Sequence, residues 1–233
     1  MHMDQHPSGN FIPGSPGYAR LHEFNFLPSR YIHPQQASAL LPASWCECLA
    51  GGASARVHAH LSAYLLERLQ IDHAWVVAAG SFAAKLALLD TSTLDALVSR
   101  LGLALLGQPI RQCVRREQMQ QLNAALTAQE WEFVFHAAAF DSPSVLTMGG
   151  ALFEQPRAAI RGVGHAALQQ LTAGLEAAGQ VRLGLKMPLD LPTLPHVPEL
   201  SEADGAPGLL VLCKAILDEL DPDWDFAAPE VAS

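Results

Sequence analysis

Apolar side chains recur through the middle of the chain with the period of a helix. Leu61, Tyr64, Leu65 and Leu69 stand at i, i+3, i+4 and i+8 and lay one stripe along a helix expected over 54–70. Asp72 is placed to cap a second, very apolar helix through Ala74 to Leu89, broken near Gly80 and Ser81. With almost no polar face, it is expected to be the central buried element. Ser92, with Asp95 three residues on, reads as a capping box opening a stripe of Leu94, Leu97, Val98, Leu101 and Leu105, which Gly107 ends. Pro109 then suits the first turn of a helix over 109–127. Its Arg111, Arg115 and Arg116 make a basic face opposite Val114, Met119, Leu122 and Leu126.

The second half is less regular. Glu130 to Ala139 carries Trp131, Phe133 and Phe135, with Phe140 just after; the alternation suits a strand, but the alanine-rich end favours a helix. Asp141 to Gly150, punctuated by Ser142-Pro143 and Gly149-Gly150, marks the expected lobe boundary. Arg157 and Arg161 share a helix face, and Leu168, Leu171 and Leu175 give a stripe that ends at Gly179. Val181 to Met187 alternates apolar and polar residues and predicts a short strand over 181–187. A proline-rich loop, 188–207, leads into an amphipathic helix that starts near Pro207 and buries Leu209, Leu212, Cys213, Ile216, Leu217 and Leu220.

The pattern predicts a mainly α, compact multi-helix globular protein with lobes at 24–140 and 151–226. Residues 1–23 have the Pro and Gly content of a disordered linker, and 227–233 form a flexible tail. Neither an internal repeat nor a sustained heptad is present.

Composition narrows the partners. Half of the 233 residues are hydrophobic and 16% are charged, which suits a helical body, and the net charge of −9 argues against nucleic acid or an anionic membrane as the main partner. Much of that charge lies at the end, where Asp218, Glu219, Asp221, Asp223 and Asp225 surround Trp224. Four cysteines in a chain of this length read as reduced thiols, and no secretion signal or membrane-length apolar run is visible. A cytosolic protein without direct membrane insertion is expected.

Chemical motifs are sparse. Cys46, Cys48, His58 and His60, with His22 and His33 upstream, carry metal-binding residue types, yet residues two apart on a helix point about 200° away from each other, so His58 and His60 do not converge. Ser81 is not set in a nucleophile motif, and Gly162-Val163-Gly164 reads as helix-start punctuation and not as a phosphate loop. The acidic end lacks the glycine and terminal glutamate of a calcium loop. No cofactor is expected. Two charged surfaces remain as candidates for partner binding: Arg111, Arg115 and Arg116, and Asp218, Asp221, Asp223 with Trp224.

The stretch from Phe24 to Trp45 contains Pro28, Pro34 and Pro42 among Phe24, Phe26, Tyr31 and Trp45, and predicts an extended, turning segment anchored by aromatics. Ala43 to Leu49 is expected to form a short helix ended by Gly51-Gly52. The run Phe24-Asn-Phe-Leu-Pro-Ser-Arg-Tyr-Ile-His-Pro34, followed by Leu41-Pro42, resembles the opening of the YscK/SctK family of type III secretion proteins. Residues 106–136 are similar to that family's central helical region, Val181 to Pro188 to its Leu-Lys-Leu-Pro segment with Met187 in place of a leucine, and Leu220 to Phe226 to its acidic, Trp-containing tail.

The resemblance implies a cytosolic, non-enzymatic adaptor of the injectisome sorting platform. It would link the cytosolic domain of the inner-membrane ring protein (SctD-like) to the pod protein (SctQ-like), and through them the export ATPase and its stator. Phe24, Phe26, Leu27, Pro28, Arg30, Tyr31, His33 and Pro34 are then family-motif residues, read as structural. The alternatives are a secretion chaperone or regulator that binds exported cargo, and a small helical metal-dependent enzyme.

Overall fold

The computed structural model describes residues 16–75, 81–136, 149–190 and 206–224. Among them every regular element is a helix, with no strand. The elements in order are α1 (Pro16–Phe26), a 3-10 turn (Pro28–Arg30), α2 (Pro34–Leu40), α3 (Ala43–Ala50), α4 (Ala55–Arg68), α5 (Phe82–Leu88) and α6 (Thr91–Leu105). Then follow α7 (Gly107–Arg111), α8 (Arg116–Ala125), α9 (Ala128–His136), α10 (Gly149–Glu154), α11 (Pro156–Leu171), α12 (Ala177–Leu185) and α13 (Ala206–Leu220).

Local chemistry accounts for many of the boundaries. Ser54 and Ser81 accept from the backbone N–H groups of Val57 and Ala84, at 3.4 and 3.2 Å, and so cap α4 and α5. Thr127 and Glu130 form a reciprocal capping box at the start of α9: the Glu130 N–H donates to the Thr127 hydroxyl, and the Thr127 N–H donates to the Glu130 carboxylate. Pro34 occupies the first turn of α2, where its missing N–H costs nothing. Gly52, at φ +84°, lies just beyond the end of α3, a conformation that suits glycine.

Several expectations are corrected here. The prolines of 24–45 sit at helix starts and not in an extended segment, so most of that stretch is helical. Helix α1 takes in Pro16 to Glu23, which composition assigned to a disordered segment. Asp72 caps no helix; Ser81 does. The helix expected over 109–127 is two, α7 and α8, and Val114 between them is exposed. The stripe through Leu175 stops at Leu171, and Gly162 and Gly164 lie inside α11 and not at its start. Residues 181–185 belong to α12: Ala178, Arg182 and Lys186 recur every four residues on its buried side, a helical period that overrides the apolar alternation, while Val181 faces outward. The Gly80 break, Phe140, residues 141–148 of the turn, 191–205 of the proline-rich loop, Asp225, and the termini 1–15 and 227–233 lie outside the described residues.

The described residues divide into two compact units, each built from more than one stretch of chain. The first takes residues 16–91, 172–189 and 223–224. Its core includes Leu65 against Ala37 and Leu41, Leu66 against Ile71 and Ala178, and the apolar run Leu86 to Leu89 of α5 and its end. Trp224 is buried in this unit, edge-on to Phe82 with ring centroids 5.6 Å apart.

The second unit takes residues 92–171, 190 and 206–222. Its tightest packing is between α6 and α11, where glycines face backbone from both sides. A Cβ on Gly102 would lie 1.9 Å from the Ile160 carbonyl oxygen, and one on Gly164 1.9 Å from that of Val98. Val98 and Gly102 are one turn apart on α6, as are Ile160 and Gly164 on α11, so each helix offers a gap and a carbonyl to the other. Asp95 and Arg161 join the same two helices by a bidentate ion pair, and Glu130 and Arg157 tie α9 to α11.

Gly164→Ala should therefore destabilise the protein by about 1–3 kcal/mol or more, since the group it displaces is backbone, read as a lower urea midpoint with native helicity retained. Gly184→Ala in α12, where nothing lies within 4 Å of the new methyl, should instead stabilise by about 0.5–1 kcal/mol.

Candidate functional site

The family-motif residues converge with a segment about 150 positions away, on the buried face of α12. Arg182 is 1% exposed and Lys186 5%. Among the described residues neither is held by a carboxylate at hydrogen-bond distance; both donate to backbone carbonyls. The Arg182 guanidinium donates through Nη2 to the carbonyls of Ile71, at 2.8 Å, and Asn25, at 3.4 Å, and through Nη1 to that of Ala178 in its own helix. Its Nε has no partner among the described residues. Lys186 Nζ donates to the carbonyls of Ala87 and Leu89, at 2.7 and 2.5 Å.

The acceptors outside α12 lie at or just past the ends of α1, α4 and α5, where carbonyls have no partner within the helix and where the dipole favours positive charge. The C-terminal region of α1 is satisfied further by Tyr31, whose hydroxyl donates to the Phe24 carbonyl at 2.7 Å. Phe24 and Tyr31 stack with centroids 5.8 Å apart, and the Lys186 ammonium lies 5.1 and 5.0 Å from the two ring centroids. That placement adds a cation–π attraction to the two carbonyl bonds.

The motif in turn closes the end of α12. The His33 N–H donates to the Leu185 carbonyl at 2.7 Å, Gln36 Nε2 to that of Gly184 at 3.1 Å, and the Leu189 N–H to Gln35 Oε1 at 3.0 Å. His33 Nδ1 also accepts from the Gln35 N–H and caps α2. Pro28 and Ser29 are buried in the 3-10 turn, where the Ser29 hydroxyl meets Ser62 Oγ at 2.8 Å and His58 Nδ1 at 2.9 Å. The edge of the motif is open: Arg30 pairs with Glu23 on the surface, and the exposed Phe26 packs edge-on to Trp75.

Burial dominates the electrostatics of this cluster. It pushes the Lys186 ammonium down from 10.5 to about 7, against the attraction of Asp90 and Glu23. It also raises the Tyr31 phenol, against the nearby Arg182, so that Tyr31 stays neutral and keeps its proton for Phe24.

The charged surfaces expected to meet partners are rearranged. Arg111 ends α7 and spends its Nη1 on the Val134 carbonyl of α9 at 2.9 Å, so it fastens the fold and does not share a face with Arg115 and Arg116. Arg115 precedes α8 and Arg116 opens it; both are exposed. Asp218 is exposed on the last turn of α13, Asp221 is half-buried beyond it and Asp223 is exposed. Trp224 is buried, which removes its ring from any partner surface in this conformation.

The metal-type residues do not assemble either. His58 is turned to Ser29, His60 is exposed, and Cys46 Sγ faces the Ala37 carbonyl while Cys48 is exposed. Among the described residues no three His, Cys, Asp or Glu side chains are grouped to hold a metal ion, and no helix is long and apolar enough to cross a membrane.

The roles of Arg182 and Lys186 were missed from the sequence. The available signal was two cations four apart in a segment otherwise apolar, a spacing that places both on one helix face.

Residues 18–204 match the family described as YOP proteins translocation protein K (YscK). Two relatives named Yop proteins translocation protein K, from Yersinia pseudotuberculosis serotype I (strain IP32953) and Yersinia enterocolitica, are each 36% identical over 105 residues. The alignment covers 45% of this chain and 47% of each relative, so the chain spans about half the length of the curated relatives it matches. No solved structure matches.

Tyr31→Phe should cost about 1–2 kcal/mol, because it leaves a buried helix-end carbonyl without its donor. Lys186 gives a pH signature. Its pKa is about 7 when folded and 10.5 when unfolded, so between those values the unfolded chain holds more protons and stability rises with pH. The cost of the buried charge is fully present below about pH 7. Chemical denaturation at about pH 7 and about pH 9 should show this gain in the native chain, and Lys186→Met should flatten it.

Proposed function

The chain belongs to the family described as YOP proteins translocation protein K (YscK), and on that footing we propose that it is a non-enzymatic adaptor of a type III secretion sorting platform. The family match over residues 18–204 carries this reading. In it, the protein stands at the cytosolic face of the inner membrane through its partners. It joins the cytosolic domain of the SctD-like ring protein to the SctQ-like pod protein, and so supports secretion together with the export ATPase and its stator.

The geometry supports a scaffold in which the motif residues serve the fold and other surfaces serve the partners. Phe24, Tyr31 and His33 spend their polar and aromatic groups on helix ends within the first unit. The exposed cations Arg115 and Arg116 and the exposed carboxylate Asp223 are then the surface groups for docking and for steering association.

Affinity capture of the intact chain, mixed with the ring protein's cytosolic domain and the pod protein, should recover both partners. Recovery of neither overturns the adaptor reading. Recovery of an exported cargo protein in their place favours a chaperone or regulator.

A further inference from the structure

The chain holds 14 basic residues, and folding consumes most of them. Arg30, Arg100, Arg157 and Arg161 pair with carboxylates. Arg111, Arg182 and Lys186 donate to carbonyls, Arg68 to the Tyr64 hydroxyl, and Arg20, Lys85 and Lys214 are also engaged. Among the described residues, the basic side chains with no such bond or ion pair are Arg56, Arg115 and Arg116. Arg56 is on α4, whereas the other two are adjacent in sequence.

Beside them lies Val114, 90% exposed and the most exposed of the large hydrophobic side chains described. An isolated exposed apolar residue is ordinary. Here it stands next to two unspent cations, on a connection fastened from below. Arg111 pins the end of α7 to the Val134 carbonyl, and Leu122, fully buried, seats α8. Three consecutive exposed side chains are thus presented on an anchored turn, with Glu117 after them as the nearest exposed carboxylate in sequence.

We infer that Val114, Arg115 and Arg116 form a docking knuckle for an acidic protein segment, with Val114 entering an apolar pocket and the arginines meeting carboxylates on either side. Charge complementarity selects the occupant. A body of net charge −9 repels extended polyanions at long range, while a short acidic segment meets the two arginines at close range with much less exposure to that field. Planar guanidinium groups match carboxylates in bidentate geometry, and exposed charge pairs of this kind act mainly on association rate and its salt dependence.

The inference rests on the adaptor reading, since it places the segment on one of the two partners proposed above. Full-length native chain, Arg115→Glu/Arg116→Glu and Val114→Ser are titrated separately with the ring protein's cytosolic domain and the pod protein, at low and high salt, with thermal unfolding as the fold check. The charge-reversed chain should lose about tenfold or more in affinity for one partner, with a flattened salt dependence, while the other partner and the melting temperature stay unchanged. Val114→Ser should weaken the same partner several-fold without altering the salt slope.

Unchanged binding of both partners by the charge-reversed chain overturns the knuckle and leaves the adaptor reading standing. If the native chain binds neither partner, the adaptor reading fails and the knuckle falls with it. Loss of binding to heparin or phosphatidylserine vesicles alone, with protein partners unaffected, replaces the acidic protein segment with a different polyanion and also overturns the inference.

Discussion

A helix end leaves carbonyls that nothing inside the helix can satisfy, and burying such an end requires a donor from elsewhere in the chain. The first unit meets this requirement with two cations one turn apart. Arg182 reaches the ends of α1 and α4, and Lys186 reaches the end of α5. Their acceptors are neutral carbonyls, so the positive charge is offset by helix dipoles, and for Lys186 by two ring faces as well, with carboxylates acting only at longer range. Remove the cations and three helix ends lose partners together, which is why the motif at residues 24–34 and the segment at 181–188 depend on each other.

The second unit is held by a different device. Where α6 crosses α11, two glycines let each backbone approach a carbonyl of the other, and ion pairs at Asp95–Arg161 and Glu130–Arg157 lie on the surface around that contact. Surface pairs of this kind contribute little each; the close backbone approach governs which residues are tolerated. The burial pattern agrees, with Leu97, Val98, Leu101, Ile160 and Val163 all nearly inaccessible.

These two devices engage four of the cations of an acidic protein, Arg157, Arg161, Arg182 and Lys186. Most arginines and lysines are needed as donors to carbonyls, hydroxyls or carboxylates within the fold. Among the described residues, the α7–α8 connection is where two of the cations outside such bonds stand together beside an exposed valine.

The sequence by itself determined the helical class, because stripes such as Leu94, Leu97, Val98 and Leu101 bury one helix face whatever it packs against. It also carried the family likeness, and the caps that depend only on neighbours: Thr127 with Glu130 is legible as a capping box, although that signal went unread. It did not reveal that 181–185 is helical, because the buried side of that helix carries Arg182 and Lys186, cations that an apolar pattern assigns to solvent. Nor did it separate Arg111 from Arg115 and Arg116, since three nearby arginines on one expected helix look alike until one of them finds the Val134 carbonyl. Trp224 likewise read as a surface residue in an acidic tail and proved to be a core residue against Phe82. Local pattern fixes what an element is, through the period of its apolar residues. Which polar groups are spent on folding and which stay free depends on donors and acceptors that meet from distant parts of the chain, and only the tertiary structure brings those together.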